Sequence, residues 1–278
     1  MSAVLSGAQI AQMQEQGYVC PVPVLDAAEA NAFRAQLEAV ETRQGQPLHG
    51  HQRNKTHLLL KWLDDLIRDP RIVDPIKQII GPNVLCWNTI FWTKEAGSGS
   101  FVSWHQDTRY WGLSSDNVMT AWLALSPASV DSGCMRVMPG THIGEVLPHD
   151  DRYHEDNMLT RGQEISAGLD ETRAVHMPLE VGQMSIHNYR VAHASGPNNS
   201  PDRRIGVSMH FMPTDTKQVV GDWDTAALVA GKDDYGYFEH TMVPSCDFDA
   251  VAVECHQRAT AQLNRVLYEG AKENTAKL

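Results

Sequence analysis

The sequence predicts a mainly β fold with flanking α-helices, a double-stranded β-helix of the jelly-roll or cupin-like kind. Two observations lead there. From Val84 onward, short apolar runs are broken by Gly, Pro, Asn and Asp, and eight are long enough for strands: 84–94, 101–107, 117–126, 134–138, 175–180, 183–187, 189–193 and 204–212. Upstream, about 1–82, the punctuation is that of helices. The 278 residues are 42% hydrophobic, enough for a sizeable core, and no Pro/Gly/Ser-rich linker, repeat or low-complexity run divides them. A single domain is expected, with a helical part at about 1–82, the jelly-roll core at about 84–213 and a C-terminal extension at about 214–278.

Ser6 to Glu15 reads as a helix stopped by Gly17, and Tyr18 to Leu25 as extended chain with two prolines. Asp26 with Glu29 three residues on is a capping-box pattern, opening a helix to about Thr42. Gln44 to Thr56 is a polar loop carrying His49, His51, Arg53 and Lys55. A third helical region covers Leu58 to Ile80 and stops at Gly81-Pro82. Within the strand-rich part, Glu145 to Asp170 is long, polar and irregular, as lids and binding loops often are and as plain surface excursions also are.

The chemistry-bearing stretch is Phe101-Val-Ser-Trp-His-Gln-Asp107, read with His193 and Arg204. On a strand, residues i and i+2 share a face, so His105 and Asp107 would reach one cavity while Gln106 points away. With His193 from another strand they make two histidines and one carboxylate, a facial set that leaves coordination positions open and suits non-haem Fe(II). Arg204, eleven residues after His193, is available for the far carboxylate of a 2-oxoacid. His-x-Asp by itself is weak: with 13 histidines, on the order of one match arises by chance. His149-Asp150-Asp151 and His154-Glu155-Asp156 match too, in a polar stretch that reads as solvated acidic surface. From spacing alone, His105 and Asp107 stay open between metal site and ordinary pair.

The same alternation, continued, sends Arg109 into the cavity, where a guanidinium needs an anionic partner. If the strand instead ends at Asp107, Arg109 pairs on the rim. Arg204, Gly206, Ser208 and His210 share one face, which puts His210 inside the barrel, as a structural residue or a substrate contact. Arg109, His210, Asn188 and the basic loop at 49–57 together suggest a small anionic or zwitterionic substrate.

Several motifs extend beyond the triad. Trp104-His-Gln-Asp-Thr-Arg-Tyr-Trp-Gly-Leu113, Thr120-Ala-Trp-Leu-Ala-Leu125, Gly133-Cys-Met-Arg-Val-Met-Pro-Gly-Thr-His142 and His193-Ala-Ser-Gly-Pro-Asn-Asn-Ser-Pro-Asp-Arg-Arg-Ile-Gly206 resemble the phytanoyl-CoA dioxygenase family, over about Leu5 to Ala250. The resemblance implies an Fe(II)/2-oxoglutarate-dependent dioxygenase using O2 and releasing succinate and CO2. It implies His105, Asp107 and His193 as iron ligands and Arg204 as partner of the distal 2-oxoglutarate carboxylate, with Ser195 beside it. Trp122 and Asn88 match positions lining the cosubstrate pocket. Family halogenases carry Gly or Ala where Asp107 stands, so hydroxylation is expected over chlorination. Members hydroxylate ectoine and aminoalkylphosphonates, and 2-aminoethylphosphonate-like compounds are the first expectation here. The alternatives are a larger apolar substrate, such as an acyl-CoA or natural product, and a metal-binding jelly roll without turnover.

Composition bounds the partners. There are 23 basic and 34 acidic residues, a net charge of -11, which argues against nucleic-acid or anionic-membrane surfaces. The five scattered cysteines form no Cys-x-x-Cys pair and suit a reducing compartment. The first ten residues lack the basic and apolar regions of a secretory signal, and no run approaches a membrane span, so a cytoplasmic enzyme of a small molecule is expected. Oligomeric state is not legible.

Overall fold

The computed structural model describes residues 4–166 and 168–271. In chain order the elements are α1 (Gly7–Gln16), β1 (Tyr18–Pro23), α2 (Ala27–Gln44), α3 (Lys61–Leu66), α4 (Pro70–Ile80), β2 (Val84–Lys94), β3 (Val102–His105), α5 (Thr108–Trp111), β4 (Met119–Ala124), β5 (Met135–Val137), β6 (His149–Asp151), β7 (Gln163–Ile165), β8 (Val175–Met177), β9 (Gln183–Asn188), β10 (His193–Ser195), β11 (Arg204–Pro213), β12 (Thr225–Ala230), β13 (Glu239–His240) and α6 (Ala250–Leu267). A seven-stranded sheet, β1-β9-β4-β11-β2-β12-β13, faces a four-stranded sheet, β3-β10-β5-β8, and β6 and β7 form a separate hairpin. This is the expected jelly-roll architecture, with strands β1, β12 and β13 of the large sheet drawn from outside 84–213.

Strand alternation sorts the large sheet into two faces. On β11, Ile205, Val207, Met209 and Phe211 point outward and pack with Leu37 and Val40 of α2, Leu63 of α3 and Ile72 and Ile76 of α4 in one core cluster. Arg204, Ser208 and His210 point to the interior, as alternation predicts.

Local signals hold where they were clear. Asp26 and Glu29 close a capping box at α2, and Ser6 with Gln9 does the same at α1. The expected helix from 58 to 80 is divided, because Asp69 caps a new helix with Pro70 in its first turn. Three expectations differ in place. The strand around His105 ends at His105, the run at 189–193 pairs as strand only from His193, and 145–170 carries the β6–β7 hairpin.

Candidate active site

His105 ends β3 and His193 opens β10, and the antiparallel register sets them directly opposite each other. Their ring centroids are 4.1 Å apart. Nδ1 of His105 meets Ser103 O and Nδ1 of His193 meets Val191 O, both at 2.9 Å, which turns each Nε2 inward. Asp107 Oδ1 lies 3.4 Å from His105 Nε2, and Oδ2 lies 3.9 Å from His193 Nε2. One ligand atom from each residue falls within 4.8 Å of the others, in a buried group. Burial brings both imidazoles down to about 4, so they stay neutral, and pushes the Asp107 carboxyl up to about 6. A carboxylate facing two neutral imidazoles lacks a cation, and a divalent metal meets that need with the donor types non-haem iron takes.

Asp107 joins the histidines by a different route from the one alternation gives. It is a helical residue (φ -59°, ψ -36°) at the N-cap of the one-turn α5, so a turn delivers its carboxylate. The same turn overturns the expectation for Arg109, which is exposed on α5 and does not line the cavity. The premise of a buried, partner-seeking guanidinium at that position falls with the strand that was to carry it.

Arg204 is 3% exposed at the inner face of β11. One terminal nitrogen donates to Gly133 O at 2.7 Å, its Cζ stands 5.3 Å from the Trp122 ring centre, and its buried Nε has no partner among the described residues. Two glycines make this possible. A Cβ on Gly206 would lie 1.9 Å from the Trp122 ring, and Gly133, at φ +70°, would meet Gly196 O at 2.3 Å. Directly across from Arg204 on β2 lies Lys94, fully buried, with its ammonium 2.8 Å from Ser195 Oγ. Burial and the neighbouring Arg204 bring Lys94 down to about 6, and burial brings Arg204 down to about 10. The buried Arg204 guanidinium, with no carboxylate beside it among the described residues, fits an anionic cosubstrate. Sequence reasoning found Arg204, Ser195 and Trp122, all on the cavity wall, and missed Lys94, which is off the lining but holds Ser195 and the Gly196 carbonyl with its ammonium.

A polar row crosses the large sheet near the metal site. His210, Thr120 and His187 are direct cross-strand neighbours on β11, β4 and β9, and all three line the cavity. His210 Nδ1, Thr120 Oγ1 and both ring nitrogens of His187 are buried without a partner among the described residues. His187 lies 4.7 Å, centroid to centroid, from His193. His210 stacks on Trp111 at 4.3 Å, with Nε2 3.1 Å from Ser208 Oγ. No motif marks His187, and Thr120 opens the 120–125 motif without a role of its own there; strand register brings the two together.

Two expected site residues do other work. Asn88 is absent from the lining: its Oδ1 accepts the Lys55 N–H at 2.6 Å, which ties the 50–57 segment to β2. Asn188 is also off the lining, with Oδ1 accepting from Arg190 N at 2.8 Å and Nδ2 donating to Asp116 O at 2.9 Å, which shapes the turn into β10. His149, expected on solvated surface, is instead half-buried and accepts the Gln106 N–H at 3.0 Å. Asp151 of the same triplet pairs with Arg161 at 2.6 Å.

The cavity holding these groups has a volume of about 400 Å³. Trp92, Ile90, Tyr110, Trp111, Met158 and Leu159 supply apolar wall, and residues 155–160 of the long excursion form one margin of it.

The phytanoyl-CoA dioxygenase family model matches residues 13–206. A relative from Stutzerimonas stutzeri, named "Probable alpha-ketoglutarate-dependent hypophosphite dioxygenase", is 30% identical over 189 residues, 67% of this chain and 62% of that protein. Peroxisomal phytanoyl-CoA dioxygenase of Homo sapiens is 31% identical over 150 residues, 52% of this chain and 44% of its own. The alignments thus span less than two-thirds of these relatives' length. The solved apo structure of the non-heme monooxygenase ThoJ is 30% identical, with a TM-score of 0.82 over 94% of this chain and 98% of that one. Its nickel complex gives 28% and 0.75, over 94% and 99%. With the family pattern matched over more than half of its residues, this chain belongs to the phytanoyl-CoA dioxygenase family.

Proposed function

We propose that this protein is an Fe(II)/2-oxoglutarate-dependent dioxygenase that hydroxylates a C–H bond of a small metabolite. The observation that carries the reading is that the His105/Asp107/His193 cluster and Arg204, which has no carboxylate partner among the described residues, line one cavity. Iron with 2-oxoglutarate and O2 supplies the oxidising power, with succinate and CO2 as by-products. His105, Asp107 and His193 would hold the metal. Arg204 offers its fork to the distal carboxylate, with Ser195 beside it and Trp122 beneath. His210, Thr120 and His187 give hydrogen bonds to polar atoms beside the metal. The aromatic and methionine walls exclude water from the reacting centre.

The cavity of about 400 Å³ must hold both cosubstrate and substrate, which favours a small substrate with an apolar portion. The hydrocarbon part of a larger substrate would suit the Trp92, Met158 and Leu159 walls. A metal-binding jelly roll without turnover has no use for an unpaired buried guanidinium. The phosphonate expectation loses its footing at Arg109, so any anionic character of the substrate must be read at another residue.

The test is succinate formation with Fe(II), 2-oxoglutarate and a panel of phosphonates, amino acids, betaines and short acyl thioesters. Substrate-dependent succinate in wild type, absent in Asp107→Ala, is expected. Equal succinate from both proteins across the whole panel would defeat the reading.

A further inference from the structure

The chain has fifteen arginines, and their partners separate them sharply. Nine take part in ion pairs with carboxylates: Arg34, Arg68, Arg71, Arg136 and Arg152, and likewise Arg161, Arg190, Arg203 and Arg258. Arg43, Arg109, Arg173 and Arg265 have none among the described residues but are exposed, where water serves. Two remain, one buried and one half-buried, that have no carboxylate partner among the described residues. One is Arg204. The other is Arg53, and both line the same cavity.

Arg53 is held in place. Its Nε donates to Phe91 O at 3.3 Å, and its Cζ stands 5.5 Å from the Trp92 ring centre. Trp92 is itself fixed, with Nε1 donating to Ser208 Oγ at 3.0 Å. Arg53 lines the cavity, and its terminal nitrogens find no acceptor among the described residues. Glu155 and Asp156 also line the cavity, and no carboxylate figures among the influences on Arg53. Burial alone moves this guanidinium, and it moves it down, as expected where no carboxylate offsets desolvation.

A positioned, partly desolvated guanidinium without a counter-charge is costly unless a ligand supplies one. Arg204 has that ligand in the distal carboxylate of the cosubstrate. Resting on the dioxygenase reading above, we infer that Arg53 is a specificity-determining residue: its free N–H groups bind an anionic group, carboxylate or phosphonate, on the substrate to be oxidised. The inference restores an anionic substrate with a different residue from the one the sequence suggested. It also fixes an arrangement, with the substrate's anion at the Arg53–Trp92 wall and its apolar portion along Ile90, Met158 and Leu159.

The experiment uses full-length protein loaded anaerobically with Fe(II) and 2-oxoglutarate. Calorimetric titrations with hexanoate, hexylphosphonate and neutral hexanamide compare head groups on one chain. Wild type should prefer at least one anion to the amide. In Arg53→Gln that anion's affinity should fall by at least about tenfold, while hexanamide and 2-oxoglutarate binding stay unchanged. Arg53→Lys should recover part of the loss, since charge returns without the fork. A wild type that takes up iron and 2-oxoglutarate but prefers neither anion overturns the inference and leaves the dioxygenase reading standing. Anion binding untouched by Arg53→Gln overturns it too. Loss of 2-oxoglutarate affinity in that variant assigns Arg53 to the cosubstrate instead. A wild type that binds neither iron nor 2-oxoglutarate defeats the underlying reading.

Discussion

Gln106 stands between His105 and Asp107 and faces away from both, yet it sets where they can be. Its Nε2 donates to Arg190 O at 2.6 Å and Thr141 O at 3.2 Å, and its Oε1 accepts from Leu147 N at 2.8 Å. One buried side chain thus ties β3 to the turn that leads into His193. Gln106→Leu fills similar space without those bonds, and Fe(II) or Mn(II) affinity should fall by about tenfold or more, read by metal titration of the apoprotein. Unchanged affinity would show that the ligands hold their places unaided. Residue by residue, legibility followed local geometry. His105 and His193 were legible through motif, and His210 through alternation from Arg204. Asp107 was legible in identity but came by a turn, and Arg109 was misplaced because that turn ends the alternation. His187 carried no local signal, and Arg53 was legible only as one basic residue of the 49–57 loop; their meaning depends on neighbours from distant strands or on the absence of a carboxylate partner.

The excursion between Glu145 and Asp170 is tethered at both margins. Asn157 Nδ2 donates to Ser103 Oγ at 2.9 Å, and Met158 N donates to Phe101 O at 2.9 Å. Arg161 pairs with Asp151 and donates to Leu267 O at 3.1 Å and Glu269 O at 3.0 Å, a cation at the C-terminal end of α6. Arg161→Met should loosen this margin of the cavity, with local stability lower by roughly 1–3 kcal/mol. Hydrogen exchange at 155–165 should then quicken while the large sheet stays protected. Exchange unchanged there would mean the hairpin holds without its link to α6. Capped helices such as α2 were readable because Asp26 and Glu29 announce the start. Helix α6 was not, because its buried face is Ala252, His256, Ala259 and Thr260 before Leu263, too polar for an apolar stripe.

Across the whole molecule, burial has placed several neutral histidines in the interior. His57 is held well below its ordinary value by burial, His210 is brought to about 3 and His256 to about 4. In the unfolded chain each titrates near 6.5. Between those values the unfolded state binds protons that the folded state refuses, so stability rises with pH across the window and is lost as pH falls from about 6.5 toward 4. The urea midpoint of the metal-free protein should therefore be lower at about pH 5 than at about pH 7, with part of the difference removed in His256→Gln. A midpoint independent of pH in both proteins would contradict it. The barrel itself was legible from eight strand runs. The strands added at its edges were not, because Tyr18–Pro23 holds two prolines and Thr225–Ala230 is short and lies past the last motif.

The central claim is that the His105/Asp107/His193 cluster and Arg204 act on one metal-bound 2-oxoglutarate. Calorimetric titration of 2-oxoglutarate into the Mn(II)-loaded protein tests it most directly. The account predicts one site that requires the metal, is abolished in Asp107→Ala, is strongly weakened in Arg204→Lys, and is left intact in Arg203→Lys, whose side chain pairs with Glu41 and Glu95 away from the cavity. Binding of equal strength without metal, or full affinity in Asp107→Ala or Arg204→Lys, would contradict it.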